Sequence, residues 1–146
     1  MKALRIILYA LILIALFFVP LQRVEIANLE PIQGIWMYGN NETVFLETDT
    51  EDKGSGNTVE EALADMKENS PGIIYLDTAQ YLFVDEGAQQ YISALSPYVK
   101  GGVRLCLWNG QGGITEAIKY VDAHKIGCKI KDWVPSSKMT ELPPLN

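Results

Sequence analysis

The stretch GIIYLDTAQYLFV, residues 72–84, holds two short uncharged runs on either side of Asp77 and a Thr-Ala-Gln step. A continuous apolar run such as residues 73–76 is the pattern of a strand covered on both faces, and residues 81–84 read as a second extended segment. Helical patterns flank the pair. Upstream, Val59, Ala62, Leu63 and Met66 follow the i, i+3, i+4, i+7 spacing of one helical face, and Asn-Ser-Pro-Gly stops that helix at Asn69. Downstream, Asp85 stands as an N-cap, Ala88, Tyr91, Ile92 and Leu95 form an apolar stripe, and Pro97 limits its end. Extended segments alternating with amphipathic helices define an α/β chain.

The same alternation continues outward. Residues 103–108 set Val103, Leu105 and Leu107 against Arg104, Cys106 and Trp108, the two faces of a strand. Ile114, Ala117, Ile118 and Val121 define a third helix, closed where His124 and Lys125 favour the negative end of the dipole and Gly127 can turn left-handed. Residues 128–134 read as a last strand, and residues 134–146 as a loose, polar, proline-containing tail. Toward the N-terminus, strands at 32–38 and 43–48 flank a Gly-Asn-Asn-Glu turn as a hairpin. The expectation is one α/β (α+β) domain over residues 24–133, with a mixed sheet of five or six strands and three helices. No repeat or linker divides residues 30–133.

A different solvent is written into residues 1–23. Lys2 and Arg5 precede an uncharged run of sixteen residues, 6–21, and Arg23 follows. A helix of that length spans about 24 Å. The hydrocarbon core is about 30 Å thick, so flanking and snorkelling side chains must supply the rest. The run, with Ile6, Leu8, Leu11, Leu13, Leu16, Phe17, Phe18 and Val19, reads as a transmembrane signal anchor. No suitably spaced pair of small residues follows for a signal peptidase. The basic residues before it place the N-terminus in the cytoplasm and the remainder outside a single-pass cell-membrane segment.

Charge is unevenly divided. The chain carries 12 basic and 18 acidic residues. Residues 24–86 hold fourteen acids against Lys53 and Lys67, whereas residues 87–146 hold seven bases against four acids. The acidic balance excludes nucleic acid as a partner and disfavours phosphate binding. Cys106 and Cys128 fall on the exported side, where a disulfide is permitted; a buried free thiol in an apolar strand is equally ordinary.

The acidic stretch ETDTEDKGSGNTVEE, residues 47–61, admits two readings. Counted as a calcium loop from Asp49, Glu51 falls third, Gly54 at the obligatory turn and Glu60 at the bidentate position. Lys53 then puts an ammonium among the ligands, Gly56 replaces an apolar residue, and the preceding segment reads as a strand rather than a helix. Alternatively, Thr58 and Glu61 form a capping box and the stretch is a solvated loop leading into a helix. Capping accounts for more of the residues.

Catalytic groupings are sparse. His124 is the chain's single histidine. Cys128 lies four positions on, but Gly127 breaks the helix that would put both on one face, and two ligands leave a metal site incomplete. Asp77 and Asp85 bracket a strand, and strand end and helix cap are their simpler roles. Residues 109–113, Asn-Gly-Gln-Gly-Gly, lack the lysine and spacing of a phosphate loop. Trp36, Trp108 and Trp133 suit a core or its edge, with an exposed one serving as an interface anchor. No cofactor is called for, and the chain reads as non-enzymatic.

The segment VEIANLEPIQGI, residues 24–35, resembles the membrane-proximal opening of the C subunits of bacterial spore germinant receptors, the Ger(x)C family. Residues 54–95 are similar to that family's next passage: a glycine-ended loop, a Thr-x-x-Glu-Ala-Leu helix, a strand, an aliphatic strand and an acid-capped helix. The resemblance implies the family's first domain. It departs in having Pro20, Leu21, Gln22 and Arg23 where a lipidated cysteine belongs, and it does not extend to two later domains. It implies a binding or assembly module on the outer face of a membrane, in germination or sporulation, working with a membrane protein partner. The alternative is a small membrane-tethered hydrolase or calcium-binding protein using the acidic loop 49–60.

Overall fold

The computed structural model describes residues 29–145, so the expected anchor at 1–23 lies outside the described residues. Strands β1 (Leu29–Pro31), β2 (Gly34–Gly39), β3 (Val44–Thr48) and β4 (Lys53–Gly56) precede helix α1 (Val59–Asn69). Then follow β5 (Ile73–Tyr75), β6 (Tyr81–Val84), the short helix α2 (Ile92–Leu95), β7 (Arg104–Leu107), α3 (Ile114–His124) and β8 (Cys128–Lys129). A mixed six-stranded sheet runs β4-β3-β2-β6-β7-β8, and β1 pairs with β5 as a separate parallel ribbon. Strands β2, β6 and β7 are parallel, while β3, β4 and β8 are antiparallel to their neighbours. Together these make a single mixed α/β domain.

The two runs of residues 72–84 exchange their expected roles. Residues 73–76 do not form the strand covered on both faces: Ile73 and Tyr75 are 44% and 41% exposed, the strand ends at Tyr75 with only Ile74 buried in it, and the buried Leu76 begins a 3₁₀ turn. The ribbon of β1 and β5 lies outside the main sheet, so one of its faces has no layer over it. The doubly covered strand is β6, buried at all four positions between β2 and β7.

The alternation of β6 and β7 divides the core between two layers. Leu82, Val84 and Leu105 pack with Val59, Ala62, Leu63 and Met66 of α1 on one face. Tyr81, Phe83, Cys106 and Trp108 pack with Ile114, Ala117 and Val121 of α3 on the other. Helix α1 also lies close on β4, because Gly54 carries no side chain: a Cβ there would sit 2.1 Å from the Ala62 carbonyl oxygen.

Several boundaries differ from expectation. The presumed loop contains β4, since Lys53–Gly56 pairs with β3 and extends the hairpin to a three-stranded meander. The second helix is mostly 3₁₀, with turns at Glu86–Tyr91 and Ser96–Tyr98 around α2, and Asp85 caps it without a side-chain hydrogen bond. The last strand ends at Lys129, where Ile130–Asp132 turns into 3₁₀. The tail is not loose. Leu107 N–H donates to the Thr140 carbonyl, Leu142 N–H donates to the Leu107 carbonyl, and Met139 and Leu142 are buried, so it continues the β7 edge beyond β8.

Candidate functional site

The carboxylates of the acidic stretch are placed apart. Asp49 and Glu51 lie in the β3–β4 turn, Glu51 with a left-handed φ of 69°, whereas Glu60 lies beyond β4 in the first turn of α1. Asp49 Oδ1 accepts hydrogen bonds from the Gln33 and Gly34 N–H groups at 2.9 and 3.0 Å, fastening this turn to the start of β2. Among the described residues no three histidine, cysteine or acidic side chains gather as a metal site. The cap is formed at α1: Thr58 Oγ1 accepts from Glu61 N–H at 3.2 Å, and Glu61 Oε2 accepts from Asn57 N–H at 2.8 Å. The return bond thus reaches one residue further back than the usual capping box.

Cys106 and Cys128 are free thiols. Cys128 pairs with Leu105 across β7 and β8 and therefore shares its face, whereas Cys106 points into the opposite, α3-covered layer. The sheet separates them, which is why the anticipated disulfide option is not taken up. Burial pushes the Cys106 thiol up to about 12, and burial also raises Cys128.

Other candidates serve the fold. His124 Nδ1 lies 2.8 Å from the Tyr120 carbonyl oxygen, and its ring stacks on Tyr120 with centroids 4.0 Å apart. Asp77 and Asp85 sit beyond opposite ends of β6. Residues 109–113 form a packed crossing rather than an open cradle: Trp108 Nε1–H donates to the Gln111 carbonyl. Gly110, with φ of 82°, faces Trp36 so closely that a Cβ would lie 2.3 Å from its ring. Trp36 stacks in turn on Tyr38, and Tyr38 on Phe45, so these rings use their faces on one another.

What remains is a cleft at the starts of β6 and β7. Register places Gly34, Tyr81, Arg104 and Lys129 in one row across four strands. Gln80, Tyr81, Lys100, Gly102, Arg104 and Asp122 line a cleft of about 340 Å³ beside that row. Arg104 also carries a buried nitrogen, Nη1, that has no hydrogen-bond partner among the described residues. A buried donor on a charged group is costly to leave unpaired, so the position favours an acceptor, best an anionic one. Lys131 N–H donates to the Gly101 carbonyl, bringing Lys131 to the same corner as Lys100. Asp122 brings the opposing charge, and the hydrogen bond from Lys125 Nζ at 2.9 Å holds its carboxyl below the ordinary value. The sequence reading singled out neither Lys100 nor Arg104. Their signal was the positive balance of residues 87–146 and an arginine alternating with apolar residues in a strand.

Compared with protein families, curated proteins and solved structures, the chain matches none. The class it can be assigned is therefore that of its architecture, a mixed α/β domain.

Proposed function

We propose that this chain is a membrane-tethered, non-enzymatic binding or assembly module, with its domain outside the cell membrane and its N-terminus in the cytoplasm. Residues 1–23 form the anchor in this reading. The resemblance of residues 24–35 and 54–95 to the first domain of the Ger(x)C proteins supports a place in a germination or sporulation complex. The observation that carries the binding role is Arg104, which lines a cleft with Lys100 and whose Nη1 has no hydrogen-bond partner among the described residues. Such a corner suits a carboxylate from a membrane protein partner, since a guanidinium recognises a carboxylate by paired hydrogen bonds.

The test is photo-crosslinking in intact cells from a photoreactive residue at Gly102, where an added Cβ meets no atom within 4 Å. A discrete adduct with a membrane protein is expected, and Arg104→Glu is expected to abolish it. Adducts unchanged by Arg104→Glu, or formed equally from exposed Glu42, count against the cleft. Protease added outside intact protoplasts should digest the domain beyond Arg23; full protection would overturn the topology.

A further inference from the structure

Three of the large exposed apolar side chains, Ile73, Tyr75 and Tyr98, have exposures of 44%, 41% and 37%. Tyr75 and Tyr98 line one shallow groove with Lys67, Ile74 and Asp77, and Ile73 is two residues from Tyr75 on the same strand. The patch adjoins the point where the described chain begins: Leu29 pairs with Ile73, and Pro31 with Tyr75. Only eight residue steps separate Leu29 from Leu21, the end of the uncharged run. Fully extended, those steps reach at most about 28 Å.

From the patch and this short tether we infer that the face formed by Ile73, Tyr75 and Tyr98 docks on the interfacial layer of the bilayer, which holds the domain in one orientation. The inference rests on the membrane-tethered reading above. Tyrosine suits that layer because its ring is apolar and its hydroxyl remains hydrated. Lys67, in the groove, and Lys100, two residues beyond Tyr98, can lay their methylenes along the surface with their ammonium groups in water. The acidic balance of residues 24–86 opposes an anionic surface, so the docking is to zwitterionic lipid and is apolar in origin. Two tyrosines and one isoleucine bind a membrane weakly when free, but a short tether raises the effective concentration of the surface to about millimolar or more. Docking also brings the row of strand starts containing Arg104 toward the membrane plane, within reach of a partner's juxtamembrane segment.

The experiment uses the full chain in phosphatidylcholine vesicles, with or without bromine on the acyl chains. Tyr75→Trp adds an emitter on the proposed face, and Glu42→Trp adds one at the β2–β3 turn, the opposite end of β2. Brominated lipid is expected to quench the emission added by Tyr75→Trp by about half or more, and that added by Glu42→Trp hardly at all. Ile73→Asp combined with Tyr75→Trp should relieve the quenching. Co-flotation with the vesicles reports the tether separately. A chain that floats with Tyr75→Trp unquenched overturns the docking alone, whereas a chain that does not float overturns the tether and the docking with it. Emission from Tyr75→Trp that shifts with protein concentration, without quenching, assigns the face to a second copy and overturns the docking.

Discussion

The two edges of the sheet handle charge in opposite ways. At the β4 edge, Asp49 holds two backbone N–H groups, Asp52 accepts from Thr50, and Glu61 and Asp65 accept from Asn57 and Ser55 N–H. Glu47 there pairs with Lys53 at 3.1 Å. At the β8 edge, Lys100, Arg104, Lys129 and Lys131 form no ion pair among the described residues. The difference follows from chemistry. A carboxylate accepts hydrogen bonds, and turns and helix starts leave N–H donors in need of acceptors. Ammonium and guanidinium groups cannot fill that role, so these five carboxylates serve the fold at the β4 edge, whereas the four bases at the β8 edge are without an ion pair among the described residues.

The largest effect that can break this contrast lies in packing. Gly54→Ala should destabilise by about 3 kcal/mol, because its Cβ forces α1 away from β4. Gly102→Ala, with no atom within 4 Å, should stay within about 0.5 kcal/mol. Comparable losses in urea denaturation would show that the β8 edge is as tightly built as the β4 edge.

Asp49→Ala comes next, at about 1.5–3 kcal/mol, because two backbone donors lose a charged acceptor. This exceeds what a solvated loop position would show, and calcium should leave the loss unchanged. A loss seen only with calcium present would restore coordination as the role of this turn. Thr58→Ala should cost about 0.5–2 kcal/mol, with or without a chelator, as the α1 cap is lost. At neutral pH the smallest effect is expected at Cys106. Its folded pKa lies above the unfolded value, so the stability it contributes is intact below pH 9.0 and is lost as pH rises toward about 12. A thiol reagent at pH 8 should therefore modify Cys128 well before Cys106, and equal rates would refute the burial of Cys106 under α3.

Helices α1 and α3 were legible because their signals are short-range: apolar residues three and four apart, a Thr-x-x-Glu cap, and turn residues at the ends. Strand β4 was not legible, because Lys-Gly-Ser-Gly reads as a loop and becomes a strand only beside β3 with α1 resting on its glycines. The tail looked polar, and its order depends on Met139 and Leu142 finding cover against the rest of the domain. For the candidate cleft, the charge imbalance along the chain was visible but no site was read from its basic half, and only the strand register put Arg104 beside Tyr81 and Lys129.

Composition and periodicity by themselves determined an α/β domain, the places of two main helices, the β2–β3 hairpin and the segregation of acid from base. Each of these depends on neighbours within a turn or two, or on counting. Tertiary structure alone decided that residues 81–84 rather than 73–76 form the doubly covered strand, that Cys106 and Cys128 face away from each other, and that Arg104 keeps a nitrogen unpaired among the described residues. Both runs of residues 72–84 are apolar enough for an interior, and burial of a run depends on which layers stack over it, which is a property of distant segments rather than of the run itself.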